Sequence, residues 1–143
     1  MDRPGAEFDK IEETDNRMHG PRKLLVCGFP AGEQPTLAAA LTGASLGDLE
    51  PIWAGADRAD QTLGDLMSLP GGTGAGEDST LPRAVIMAGI TENELHVLMA
   101  AHRAAGLERP FWAALTPTSE TWTLAALLAE LANERQAMEQ RSS

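Results

Sequence analysis

The sequence predicts an α/β domain with a four-stranded parallel sheet in the order 2-1-3-4, made from two tandem βαβα repeats with helices on both faces. Three observations predict it. Two short apolar runs, Leu24-Leu25-Val26-Cys27 and Ala84-Val85-Ile86-Met87, each lead to a glycine. They lack the polar alternation of a half-exposed strand, as suits strands covered on both faces. Each run is followed by a helical segment and a second short strand, and the blocks of the first half recur in the second. Strand–helix–strand crossovers within one sheet are right-handed. Two such units therefore zip side by side through their leading strands, about an approximate two-fold axis between strands 1 and 3. The first and fourth helices then share one face, and the second and third the other. A ferredoxin-like antiparallel arrangement is the alternative architecture.

In chain order, residues 1–21 read as a disordered or loosely attached tail. They are rich in charge and hold Pro4, Gly5, Gly20 and Pro21, so they bury too little apolar surface to offset ordering. A short helix around Phe8–Ile11 or a docking peptide fits there. The domain spans residues 22–138, with repeat one at 22–69, a Gly-rich linker at 70–82 and repeat two at 83–138. After the first strand, a helix runs around Glu33–Leu41, with Pro35 in its first turn, where a missing N–H is harmless. Pro51-Ile52-Trp53-Ala54 is a short strand, and Thr62 caps a helix reaching about Met67. Gly71, Gly72, Gly74 and Gly76 mark the linker as flexible. Its Gly72-Thr73-Gly74 follows a helix and precedes a strand, the reverse of a dinucleotide loop.

In the second half, Thr91-Glu92-Asn93-Glu94 forms a capping box, and its helix stops at Gly106. Leu95, Leu98, Met99 and Ala105 lie on its apolar stripe. Pro110 to Leu115 is the fourth strand, and Thr116-Pro117-Thr118-Ser119 turns the chain. Thr121 or a neighbour opens the last helix, with Leu124, Leu127, Leu128 and Leu131 on one face. Residues 139–143 are expected to fray. With an offset of 61, Gly28 falls on Gly89 and Thr62-Leu63 on Thr123-Leu124. With an offset of 59, Pro51-Ile52-Trp53-Ala54 falls on Pro110-Phe111-Trp112-Ala113. The ordered Pro-x-Trp-Ala match points to duplication.

Composition excludes several classes of function. The 143 residues suit one domain, and 43% apolar content supplies a core without disulfide or metal. The net charge is −10, and residues 23–82 carry two basic and eight acidic groups. Such a surface repels phosphate backbones, so no nucleic-acid partner is expected. No apolar stretch nears the roughly 20 residues of a membrane span, and the N-terminus lacks an apolar signal core. No membrane partner is expected, and the cytoplasm is the expected location. Cys27, the single cysteine, sits in an apolar run and reads as a buried, inert thiol.

In a parallel sheet, ligands gather beyond the carboxyl ends of the strands where the winding reverses. That places the candidate ligand site at Gly28, Phe29, Asp57, Gly89, Thr91, Thr116, Thr118 and Ser119. Turn formation and helix capping account for the same polar residues. No catalytic residue stands out: Ser119 has no visible base, and no Gly-Lys-Ser/Thr phosphate loop exists. No metal site is expected, because His96 and His102 are six apart and His19 lies in the tail. His102 reads as a half-buried packing residue. No cofactor is expected. Trp53 and Trp112 occupy equivalent strand positions and Trp122 follows the Thr-Pro turn. They read as core or sheet-covering residues, or as anchors of an interface if exposed.

The second half carries a resemblance. Val85-Ile86-Met87-Ala88-Gly89-Ile90-Thr91, then Glu94-Leu95, and above all Leu115-Thr116-Pro117-Thr118 with Trp122-Thr123-Leu124, resemble a bacterial family known as domain of unknown function 3783. Where that family carries Lys before the Leu-Thr-Pro strand and Asn after it, this chain has Trp112 and Ser119. The resemblance implies a fold and a bacterial origin, and supplies no reaction. The expected function is a non-enzymatic binding or regulatory domain, as a homodimer or with another protein partner. The alternative is an enzyme or small-ligand or anion-binding protein using the strand-end cleft.

Overall fold

The computed structural model describes residues 17–142; the sequence expectations for residues 1–16 lie outside them. The elements, in order, are β1 (Lys23–Cys27), α1 (Gln34–Gly43), β2 (Ile52–Ala54), α2 (Leu63–Met67), β3 (Ala84–Ala88), α3 (Glu92–Ala104), β4 (Phe111–Ala114) and α4 (Leu124–Ser142). Three single 3₁₀ turns, Ala31–Glu33, Ala56–Arg58 and Ser119–Thr121, lead into or between them. Thr62 and Thr91 cap α2 and α3 through side-chain oxygens, and Glu94 completes the capping box by accepting from the Thr91 N–H. The last helix begins at Leu124, and the Thr123 hydroxyl accepts from the Ala126 N–H. It runs to Ser142, and Arg135 lies over the Phe111 ring at 3.9 Å.

The sheet order is β2-β1-β3-β4. Both outer pairs are parallel, but β1 and β3 run antiparallel, so the all-parallel sheet expected from the sequence is corrected to a mixed one. The linker explains the reversal. Helix α2, five residues long, returns the chain to the start of β1, where the Lys23 ammonium donates to the Leu69 carbonyl at 2.6 Å. The linker then climbs the outer side of β2. Gly72 N–H donates to Pro51 O, and Trp53 N–H donates to Thr73 O, both at 2.8 Å. At the top, the Ser79 hydroxyl accepts from Gly28 N–H and donates to Ala54 O, both at 2.9 Å. Strand β3 therefore starts where β1 ends and must run downward.

The reversal also changes the layers. Turning one βαβ half about an axis along the strands moves its helix to the opposite face. Turning it about an axis perpendicular to the sheet keeps the face, and both operations preserve crossover handedness. The antiparallel join corresponds to the second. Accordingly α1 and α3 share one face, over Leu24, Val26, Trp53, Val85 and Met87. Helices α2 and α4 share the other, over Leu25, Cys27, Ile52 and Ile86. The first helix is thus paired with the third, not the fourth.

Residues 61 positions apart meet across this axis. Leu25 pairs with Ile86 at the centre of the β1–β3 ladder. Thr62 bridges Thr123, with Leu63 N–H donating to Trp122 O at 2.9 Å and Leu124 N–H to Gln61 O at 3.0 Å. Arg22 binds Glu94 at 2.7 Å, and their counterparts 61 positions away, Arg83 and Glu33, bind each other at 2.6 Å. Gly28 and Gly89 hold φ of +80° and +66° where each strand end crosses the other's entry. A Cβ on Gly89 would lie 2.6 Å from Arg22 N, and one on Gly28 would run into the Arg83 backbone. Only glycine fits such a left-handed crossing.

Candidate functional site

The antiparallel join separates the residues that a strand-end cleft would need. Gly28, Phe29 and Asp57 stand at one end of the sheet, because Cys27 pairs with Ala84. Gly89, Thr91, Thr116, Thr118 and Ser119 stand at the other, because Lys23 pairs with Ala88. The single cleft expected between the Gly28 and Gly89 loops is therefore not formed.

Each end is instead filled by the segment that enters the neighbouring half. Beyond β1 and β2 a cavity of only about 120 Å³ remains beside Phe29, Asp57 and Asp78. Several of its polar groups are engaged internally. Gln34 donates to Glu77 O at 2.9 Å and accepts from Gly76 N–H at 2.7 Å, and Asp78 accepts from Ala31 N–H at 2.7 Å. Beyond β3 and β4, Arg17–Gly20 fills the space. Met18 N–H donates to Ile90 O at 2.8 Å, Arg17 donates to Gly89 O at 3.2 Å, and His19 pairs with Glu120. Thr116 and Ser119 close a turn, each backbone N–H donating to the other's hydroxyl at 3.0 Å. Thr118 O accepts from the Thr121 hydroxyl at 3.1 Å. These are turn and cap bonds. The Cys27 thiol is buried and pushed up to about 12 by that burial, so it stays protonated at neutral pH. Among the described residues, no group of three or more His, Cys, Asp or Glu could hold a metal.

Among the described residues, nothing pairs with the outer edge of β4. Phe111 N–H donates to Arg83 O at 2.9 Å and Leu115 N–H to Met87 O at 2.8 Å. The alternation of a strand then turns the N–H and C=O groups of Trp112 and Ala114 away from β3. Trp112 is half-buried and Ala114 exposed. The equivalent Trp53 is buried under the linker, and Trp122 is half-buried against the α2–α4 core.

A hollow flanks β4 on each face of the sheet. On the α3 side, about 450 Å³ is lined by Met99, His102, Arg103, Leu107, Arg109 and Trp112. On the α4 side, a more open groove of about 730 Å³ is lined by Arg109, Pro110, Phe111, Leu131, Glu134 and Arg135, among others. Neither Arg103 nor Arg109 has an acidic partner among the described residues. His102 is buried, stacks edge-to-face on Trp112 at 5.3 Å, and leaves its Nε2 without a hydrogen-bond partner. Burial holds its imidazole below the ordinary pKa, and the charge of Arg83 adds to the shift. Sequence reasoning flagged Trp112 but missed these arginines and the orphaned nitrogen. The available signal was the placing of Arg103 and Arg109 just before an unusually apolar edge strand.

Residues 83–138 match the model of a family described as domain of unknown function (DUF3783). No curated protein matches the chain, and no solved structure does. The matched stretch contains β3, α3, β4 and most of α4, and hence the whole open edge. Among the described residues no helix is long and apolar enough to cross a membrane.

Proposed function

We propose that this chain is a non-enzymatic bacterial binding or regulatory domain, working in the cytoplasm, that takes up an extended protein segment along the outer edge of β4. The observation that carries the reading is the asymmetry of the sheet. The β2 edge is sealed by backbone bonds from the linker, while the equivalent groups of β4 face outward between two hollows. In β-strand addition, main-chain bonds supply affinity and pockets on alternating sides supply specificity. The β4 edge offers both, and the partner is a protein: a second copy or another chain. The pairing of residues 61 apart supports reading the two halves as a duplicated unit. One copy keeps its edge for binding and the other has lost it to the linker.

The test is selection of short peptides on the intact chain from a random library. The selected peptides should lose at least tenfold in affinity for Ala114→Pro, which removes an outward N–H. They should bind Asp57→Asn unchanged. Equal binding to Ala114→Pro overturns the reading. The second reading, a small-anion receptor, draws on the orphaned His102 Nε2 beside Arg103 and Arg109. It predicts instead that a metabolite acid raises the melting temperature in a screen, and that His102→Phe abolishes the rise.

A further inference from the structure

The hollow on the α3 side of β4 has a charge that runs against the rest of the chain. We propose that this hollow is the specificity pocket of the edge and takes one Asp or Glu side chain of the docked segment between Arg103 and Arg109. The proposal rests on the reading of β4 as a binding edge, and names what the bound segment must carry.

Charge is the first argument. The chain holds 21 acidic and 11 basic side chains, yet the lining of this hollow of about 450 Å³ contains Arg103 and Arg109 and no Asp or Glu. Both arginines are exposed and lack an acidic partner among the described residues. Guanidinium groups match a carboxylate through paired hydrogen bonds. His102 supplies the inner wall. It is 4% exposed and its Nε2 has no hydrogen-bond partner. In its Nε2–H tautomer it lacks an acceptor, which a carboxylate oxygen supplies. A doubly charged phosphate fits less well, because a net charge of −10 opposes each added negative charge.

The sealed edge is the second argument. With the offsets of 61 and 59, His102, Arg103 and Arg109 correspond to Leu41, Thr42 and Glu50, and Trp112 to Trp53. The linker that occupies the β2 edge passes Glu50 and Trp53 on glycines. A Cβ on Gly71 would lie 2.9 Å from the Glu50 Cβ, and one on Gly74 would run into the Trp53 carbonyl. The sealed edge thus takes glycine beside an acid. The β4 edge sets two cations and an imidazole in the same places.

Register is the third argument. Trp112 pairs with Val85, and both belong to the layer under α1 and α3. Side chains directly across neighbouring strands share a face, and the strands lie about 4.8 Å apart. The residue of the segment opposite Trp112 therefore projects on the α3 side, toward the hollow, and its two neighbours project on the α4 side. One acid at one register position is the expected signature. A second copy joined through the same edge supplies Phe111-Trp112-Ala113-Ala114, which contains no acid.

The experiment sequences the peptides selected on the intact chain and measures their affinity for the native protein and for R103Q/R109Q. Both arginines are exposed, so the core is untouched. The peptides should share one Asp or Glu. Changing it to Asn or Gln should weaken binding at least tenfold on the native chain and less than twofold on R103Q/R109Q. A peptide with Lys in that place should bind R103E/R109E at least tenfold more tightly than the native chain. Peptides without a shared acid, or an equal loss on the native chain and R103Q/R109Q, overturn the proposal. So does tighter binding when phosphoserine replaces the acid, which assigns the pocket to phosphate. In each of these cases, peptides still weakened by Ala114→Pro leave the edge reading standing, and peptides indifferent to Ala114→Pro remove both.

Discussion

The two edges of the sheet come from matching strands, yet only one is finished. Trp53 in β2 and Trp112 in β4 hold equivalent places, each paired with a valine of its inner neighbour, Val26 and Val85. Trp53 is buried because the linker runs beside it, accepting its N–H at Thr73 O. Trp112 has no such cover among the described residues, and Arg109 and Arg135 flank its strand. An exposed strand edge is a template for another chain, and proteins seal, charge or shorten edges that are not used. The glycine-rich linker is thus an edge seal as well as a connector. The short, arginine-flanked β4 is the edge left available.

The seal is the most fragile part of this contrast. Gly74 holds φ of +79°, and a Cβ there would run into the Trp53 carbonyl. Gly74→Ala should lower unfolding free energy by about 3 kcal/mol in urea titration, through strain and loss of the seal. Gly76, with φ of +88° but open space around it, should cost only about 1 kcal/mol as alanine. Equal losses at the two positions would mean that the linker does not seal β2.

The polarity of β4 gives a second, smaller contrast. Ala113→Pro removes an N–H turned toward β3 and should cost about 2 kcal/mol. Ala114→Pro removes one turned outward and should cost under about 1 kcal/mol. The reverse order would show that the strand presents its other set of groups.

The smallest effect concerns His102. Its folded pKa lies below the ordinary value, so the unfolded chain binds the extra proton. The stability this neutral, buried imidazole contributes is present above about pH 6.5 and falls as pH drops through the folded pKa. His102→Phe should flatten stability against pH below about 6.5 in thermal melts, and should not destabilise at pH 8, since it removes an orphaned nitrogen.

Local structure was largely legible in the sequence. The strands, the Thr62 and Thr91 caps, the stop at Gly106 and the sheet order all follow from nearby residues. The direction of β3 does not. A strand buried on both faces, as Ala84–Ala88 is, reads the same upward or downward. The deciding interaction is a linker that climbs β2 through Gly72 and Thr73, and its composition reads only as flexible. The candidate cleft depended on that direction, so Gly28 and Gly89 fell to opposite ends. Trp112 was legible as one of a matched pair, but its exposure depends on what lies beside it, and so do Arg103 and Arg109.

The most direct test of the edge assignment follows amide exchange at Trp53, Trp112 and Ala114 in the intact chain while a library-selected peptide is titrated in. Trp53 should stay slow throughout, and Trp112 and Ala114 should begin fast and slow together as the peptide saturates. Binding that leaves Trp112 and Ala114 fast, or that changes Trp53 instead, would contradict the assignment of β4 as the working edge.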